Sequence, residues 1–394
     1  MRPRILIVDD EPYNVDYLEQ ELDDLAYDTL SAYSGKEALE QIGVENPDMI
    51  LLDIMMPEMD GFEVLRLIKQ NEDWQHIPVV IISAVSDMQS VIRGIELGAD
   101  DYLPKPFDPI LLKARLTSGL ERKRLRDQEQ VYLQSLEREL DIAREIQAGF
   151  LPRFMPEVEG WELAAYFQAA RKVAGDFYDA FPLSGTGRLG IVLGDVCDKG
   201  VGAALFMTQF RSLLRAVSNL DHYAGHSGEQ DSPEVDPAAV LQQTISLVNN
   251  YIALTHEASG MFATIFFGAL DPQTGSLLYI NAGHEPPVVV NGSGVKERLR
   301  PTGPLVGLLE DMVYQVGETN LDPGDALLVF SDGVPDAQNA AEEFFGEGPF
   351  PILLPDLGAM DAASLLETIN GEVYRFVEGM PQPDDITMLA VRHI

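Results

Sequence analysis

Three uninterrupted apolar runs near the start, Ile5-Leu6-Ile7-Val8, Met49-Ile50-Leu51-Leu52 and Val79-Val80-Ile81-Ile82, constrain this chain more than any other feature. Helical patterns separate them, and continuous apolar strands alternating with helices imply a parallel sheet covered on both faces. In such a sheet ligands gather at the carboxyl ends of the strands. There the chain places Asp9-Asp10, Asp53, Ser83 and Lys105. Three carboxylates, a hydroxyl and a lysine on one edge suit Mg²⁺ and a phosphoryl group. One acidic residue after a strand reads as a helix N-cap, but five chemistry-bearing residues at successive strand ends do not.

The chain has 394 residues, enough for two or three domains. Its 27 basic against 64 acidic side chains give a formal charge of −37, which repels phosphate backbones and anionic lipid, so nucleic acid and membrane are not expected partners. Cys197 is the single cysteine and makes no internal disulfide. No apolar run approaches the ~20 residues of a membrane span, and the short run after Met1 is no signal peptide. A cytoplasmic protein is expected.

Charge divides the chain into residues 1–120 (9 basic, 24 acidic), 121–150 (6 and 7) and 151–394 (12 and 33). The middle piece spaces Leu125, Tyr132, Leu136, Leu140, Ala143, Ile146 and Phe150 along one helix face. Helix from about Pro109 to Gln147 would be ~60 Å long at ~1.5 Å per residue. Its stripe can pair with a second copy as a coiled coil, giving a homodimer, or pack back on its own domains. Beyond it, strand-like runs at Leu189–Leu193, Phe262–Ala269, Ser276–Ile280, Pro287–Val290, Ala326–Phe330 and Ile386–Val391 mix with helical patterns at Ala203–Ser218 and Pro237–Leu254, an α+β composition. His222 to Pro237 reads as a surface loop.

A second acidic set lies in this larger piece: Gly175-Asp176, Gly194-Asp195-Val196, Ser331-Asp332-Gly333 and Asp384-Asp385. Separated aspartates without clustered His or Cys suit Mg²⁺ or Mn²⁺ rather than structural zinc. With no phosphatase-loop cysteine and no Ser-His-Asp order, the expected nucleophile is a water activated by two such ions about 4 Å apart. Any one of these motifs alone would read as turn chemistry.

Ile7-Val8-Asp9-Asp10-Glu11, Leu52-Asp53-Ile54-Met55-Met56-Pro57-Glu58-Met59-Asp60-Gly61, Ser83-Ala84 and Lys105-Pro106 closely resemble the receiver domain of two-component response regulators. The resemblance implies a doubly wound five-stranded parallel sheet over residues 1–120. It makes Asp53 the phosphoryl acceptor and gives Mg²⁺ to Asp10, Asp53 and the carbonyl of Met55, with Asp9 joining through water. Lys105, Ser83 and Tyr102 form the switch, the Lys105-Pro106 bond is cis, and a sensor histidine kinase or other phosphodonor is the partner.

The second set, with Asp198-Lys199-Gly200, Phe262-Ala263-Thr264, Asn281-Ala282-Gly283-His284 and Ser331-Asp332-Gly333-Val334-Pro335-Asp336-Ala337, resembles the SpoIIE and RsbU branch of the metal-dependent (type 2C) protein phosphatases. This implies an αββα sandwich over residues 151–394, joined to the receiver by the long helix. Two Mn²⁺ or Mg²⁺ would be held by Asp176, Asp195, the carbonyl of Val196, Asp332 and Asp384. Asp385, Arg171, Asn281 and His284 are further candidates. His284 can act near the site or simply hold its turn, and Arg171 can meet substrate phosphate or stay solvated. Ala174 departs from the usual Gly-Gly-Asp run, and Glu285 follows the Asn-Ala-Gly-His signature where a neutral residue is usual; neither removes a ligand. The resemblance implies a phosphoserine/phosphothreonine protein phosphatase acting on a phosphorylated anti-sigma factor antagonist of the STAS type, controlled through Asp53. The alternative is a phosphorylation-controlled binding scaffold with an inactive phosphatase fold.

Overall fold

The computed structural model describes residues 2–84, 88–220 and 235–394. Most of the loop expected from His222 to Pro237 lies outside them, as does the side chain of Ser83. The chain divides into two compact units, Met1–Glu137 and Arg138–Ile394.

In the first unit, β1 (Arg4–Val8), β2 (Asp28–Ala32), β3 (Met49–Asp53), β4 (Val79–Ala84) and β5 (Asp101–Lys105) form a parallel sheet of order β2-β1-β3-β4-β5. The apolar runs are fully buried because both faces are covered. On one side α1 (Pro12–Asp24) and the start of α5 (Pro109–Ala148) pack Leu18, Leu22, Leu112 and Leu116 against Ile5, Ile7 and Leu51. On the other, α2 (Gly35–Glu45) and α3 (Gly61–Gln70) pack Ile42, Leu65 and Ile68 against Leu6, Val8 and Leu52. Ser34 and Asp60 accept the Glu37 and Glu63 amides, capping α2 and α3. α4 (Met88–Glu96) precedes β5. A Cβ on Gly61 would lie 2.1 Å from the Asp53 carbonyl oxygen, so only glycine lets the loop after β3 close onto its end.

The helix α5 continues without interruption through the linker expected from residue 121. Leu125, Tyr132, Leu136 and Ile146 of its apolar stripe are exposed.

In the second unit, β7 (Phe177–Leu183), β8 (Arg188–Val196), β9 (Ala263–Leu270), β10 (Ser276–Ala282) and β13 (Gly317–Asn320) form an antiparallel sheet of order β13-β10-β9-β8-β7. A second antiparallel sheet, β12-β11-β14-β15-β6, holds β6 (Trp161–Gln168), β11 (Val288–Asn291), β12 (Gly294–Arg298), β14 (Ala326–Phe330) and β15 (Ile386–His393). Trp161, Leu193, Phe266, Val329 and Leu389 fill the space between the sheets. The first sheet's outer face is covered by α6 (Val201–Val217) and α7 (Pro237–Thr255) through Phe210, Leu214, Ile245 and Val248. The second is covered by α8 (Pro349–Leu357) and α9 (Ala362–Val377) through Phe350, Leu354, Leu366 and Ile369. This is the αββα sandwich. No helix among the described residues is long and apolar enough to cross a membrane.

Candidate functional site

At the carboxyl edge of the parallel sheet, Asp9, Asp10 and Asp53 each offer an oxygen within 4.8 Å of the others. Lys105 Nζ lies 2.9 Å from Asp9 Oδ2 and 3.1 Å from Asp53 Oδ1. Asp9 is fully buried and also accepts from the Glu11 amide and Asn14 Nδ2, both at 3.0 Å. One ammonium against three carboxylates leaves about two negative charges, which fits a divalent cation with oxygen ligands. Burial pushes the Asp53 carboxyl up to about 6, aided by repulsion from Asp9 and opposed by Lys105. Burial pulls Lys105 down, but Asp9 and Asp53 outweigh it and hold the ammonium above its ordinary range. Met55 lies two residues past Asp53 with an exposed side chain. Tyr102 pairs with Ile81 across the sheet, with the Arg115 guanidinium 5.7 Å from its ring centroid. Ser83 pairs with Pro104 through the backbone, and the Lys105–Pro106 bond is cis.

In the sandwich, antiparallel register builds the second site. Phe177 pairs with Gly194, so by the same register Asp176 stands opposite Asp195 at the joined ends of β7 and β8. A Cβ on Gly194 would lie 2.6 Å from the Phe177 ring, and one on Gly175 would lie 2.8 Å from the Val196 carbonyl oxygen. Glycine at both positions allows these strand ends to close up. In the other sheet Phe330 pairs with Met388, which brings the turn after β14 against the entry to β15. Ser331 N donates to Thr387 O at 2.9 Å, and a Cβ on Gly333 would meet the Asp385 carbonyl oxygen at 1.9 Å. Asp332 and Asp384 thereby become neighbours. Asp385 stitches the two sheets: its oxygens accept from the Ala170 and Gly175 amides, both at 2.8 Å.

The electrostatics are those of a site where carboxylates outnumber positive charge. Burial, then repulsion from Asp195 and Asp385, holds the Asp176 carboxyl well above its ordinary range. Asp195 is pushed up to about 7 by burial and by Asp332, Asp384 and Asp385. Asp332 is pushed up to about 6 by burial, Asp384, Asp336 and Glu285. Asp176 Oδ2 is buried without a hydrogen-bond partner, an expensive arrangement for a carboxylate unless a cation meets it. These aspartates form a wider set than the receiver trio, which alone among the described residues brings three ligand oxygens within 4.8 Å.

The remaining candidates divide. Asp385 commits both oxygens to backbone amides. Asn281 is fully buried, accepts the His284 amide at 2.8 Å and donates to Leu299 O at 3.2 Å, holding its turn. His284 Nδ1 lies 2.9 Å from Thr264 Oγ1, and Thr264 pairs with Asp195 across β8 and β9. Burial pushes this imidazole down to about 4, so it is neutral. Arg171 is exposed. Two residues escaped the sequence reading. Lys199 Nζ pairs with Asp384 Oδ2 at 2.7 Å. Gln147, buried near the end of α5, donates to Ala174 O at 2.7 Å and accepts from Ala174 N at 3.0 Å. Lys199 stood within a quoted motif, but nothing in the sequence marks a helix glutamine as the partner of a residue 27 positions away. Ala174 is absent from the positive-φ residues, so the departure from Gly-Gly-Asp carries no backbone strain.

A family model described as response regulator receiver domain matches residues 5–117, and one described as Stage II sporulation protein E (SpoIIE) matches residues 185–394. Together with the fold, these define a receiver domain followed by a SpoIIE-type domain. The chain belongs to the SpoIIE family. It is 42% identical over 264 residues to protein IcfG of Synechocystis sp., a match covering 64% of this chain and 41% of that protein. It is 46% identical over 118 residues to response regulator PleD of Caulobacter vibrioides, covering 30% of this chain and 26% of PleD. The chain thus spans less than half the length of these relatives. The SiaA-PP2C domain of Pseudomonas aeruginosa shares the fold at a TM-score of 0.54 and 22% identity, over 66% of this chain and 98% of that one.

Proposed function

We propose that this chain is a metal-dependent phosphoserine/phosphothreonine protein phosphatase of the cytoplasm, controlled by phosphorylation of Asp53. The observation that carries the reading is the mutual repulsion of Asp176, Asp195, Asp332 and Asp384 around an unpartnered carboxylate oxygen. Asp176, Asp195 and Asp332, held above the usual carboxylate range, gain most from divalent cations, and the oxygen-only donor set fits Mn²⁺ or Mg²⁺. Asp176, Asp195, Asp332, Asp384 and the Val196 carbonyl would hold two ions. Bound there, the ions supply an activated water and neutralise charge on the phosphoryl group. Asp385 braces the Ala170 and Gly175 backbone beside them. Lys199 can exchange its bond to Asp384 for a substrate oxygen.

In the receiver, Asp53 would accept a phosphoryl group from a histidine kinase or other donor, with Mg²⁺ on Asp9, Asp10, Asp53 and the Met55 carbonyl and with Lys105 beside the added charge. Ser83 and Tyr102 would report the change. Pairing of two copies through the exposed Leu125, Tyr132 and Leu136 stripe supports a homodimer as the responding unit. The substrate reading, a phosphorylated STAS-type anti-sigma factor antagonist, rests on the SpoIIE and RsbU resemblance.

A Mn²⁺-dependent dephosphorylation assay on a phosphorylated STAS protein tests the reading. Asp384→Asn should abolish turnover, whereas Asp53→Asn should remove only the response to a phosphodonor. Turnover that survives Asp384→Asn would contradict the assignment, and an inert parent protein would favour the scaffold alternative.

A further inference from the structure

Residues 151–394 carry 12 basic against 33 acidic side chains, so a phosphorylated protein approaching this domain is repelled over most of its surface. One cavity breaks the pattern. Of about 770 Å³, it lies where the end of α5 meets the segment leading into β7, and Arg144, Arg153, Arg171 and Lys172 line it with no acidic residue among its walls. Lys172 is tied to Asp141 at 2.6 Å, whereas Arg144, Arg153 and Arg171 have no ion-pair partner among the described residues. In a domain with nearly three acids per base, a basic pocket without a carboxylate wall is the reverse of what a solvated acidic surface produces.

The cavity is joined to the aspartate site through backbone. Gln147, in its wall, holds the Ala174 backbone with both the nitrogen and the oxygen of its side-chain amide, and the Ala170 amide, also in its wall, donates to Asp385. Arg171 is five residues before Asp176, a distance of at most ~18 Å along the chain. That gap is a few residues of an extended peptide. Guanidinium groups match carboxylates as two-pronged donors.

We propose that this cavity seats acidic residues flanking the phosphorylated side chain of the protein substrate, so that the enzyme selects phosphosites in acidic sequence. The inference rests on the phosphatase reading above. Arg144 and Arg153 come from the α5 end and the segment after it, so the seat is shared between the linker and the catalytic domain.

The test uses the full chain with Mn²⁺ and three probes: p-nitrophenyl phosphate, a phosphoserine peptide with Asp and Glu flanks, and the same peptide with Asn and Gln flanks. The expected result is a kcat/KM about three- to tenfold higher for the acidic peptide, the size two or three exposed charge pairs deliver. That preference should shrink with added salt. It should collapse toward one in the Arg144→Gln/Arg153→Gln protein and persist in reduced form in Arg144→Lys/Arg153→Lys, which keeps the charge without the fork and guards against a folding defect. Equal rates on both peptides in the parent, or a preference surviving in the glutamine variant, would overturn the seat while leaving the phosphatase reading intact. Failure to hydrolyse any probe, p-nitrophenyl phosphate included, would overturn the phosphatase reading and the seat with it.

Discussion

Asp195, a proposed metal ligand, works against the fold that carries it. Its carboxyl is raised from 3.8 to about 7 in the folded chain, so the folded state holds that proton more tightly than the unfolded one. The associated stability is fully present below about pH 4 and is lost as pH rises through about 7. In chelator the phosphatase domain should therefore melt earlier at pH 8 than at pH 5. Asp195→Asn removes the charge and should raise its melting temperature at pH 8, by about 2–4 °C for each kcal/mol of repulsion relieved. The same change should abolish hydrolysis. Differential scanning fluorimetry with EDTA checks the first expectation, and a melting temperature unchanged or lowered would contradict the repulsion. These aspartates stood out in the sequence because each lies beside an apolar run, and Asp176, Asp195 and Asp332 also adjoin a glycine. Their partners were not. Asp179 stands in a similar acidic motif but is buried against Arg211 at 2.8 Å and Arg215 at 3.2 Å, residues on α6 whose approach only the fold decides.

Among the elements, those with continuous apolar runs were readable to within a few residues: β14 spans Ala326–Phe330 as its run predicts, and α5 spans Pro109–Ala148. β7 was hidden because Asp179 and Pro182 interrupt its apolar pattern, and the ion pairs just described are what make Asp179 tolerable inside. α8 was hidden by the proline at residue 355 within it. The end of α5 carries the most specific prediction. Gln147→Ala would leave the buried amide and carbonyl of Ala174 unpaired, at about 1–3 kcal/mol for each group. The expected outcome is a lower melting temperature for the phosphatase domain and a higher Mn²⁺ concentration for half-maximal activity, because Ala174 adjoins Gly175 and Asp176. An unchanged Mn²⁺ dependence would mean that the clamp serves packing alone. The stripe on the same helix predicts that Leu136→Asp, a charge placed among exposed apolar side chains, lowers the apparent mass in sedimentation from dimer to monomer. A parent protein that sediments as a monomer would contradict the pairing.

For the whole molecule, the receiver architecture was legible almost entirely, because a sheet buried on both faces writes itself as unbroken apolar runs. From local pattern the sandwich was legible only as a mixture of strands and helices, and its αββα arrangement came from the family resemblance. Its sheet order pairs strands far apart in sequence, such as β6 with β15, and no local pattern records such pairing. Control of one unit by the other requires the intervening helix to have two arrangements of different energy, and each site to favour one of them. The central claim lies below that coupling: aspartates far apart in the chain hold divalent ions together. Mn²⁺ uptake by the full chain and by its Asp195→Asn variant, measured in parallel by titration calorimetry, tests it most directly. The parent should take up two ions more than the variant, since the receiver site is common to both. Equal uptake by the two proteins would contradict the account.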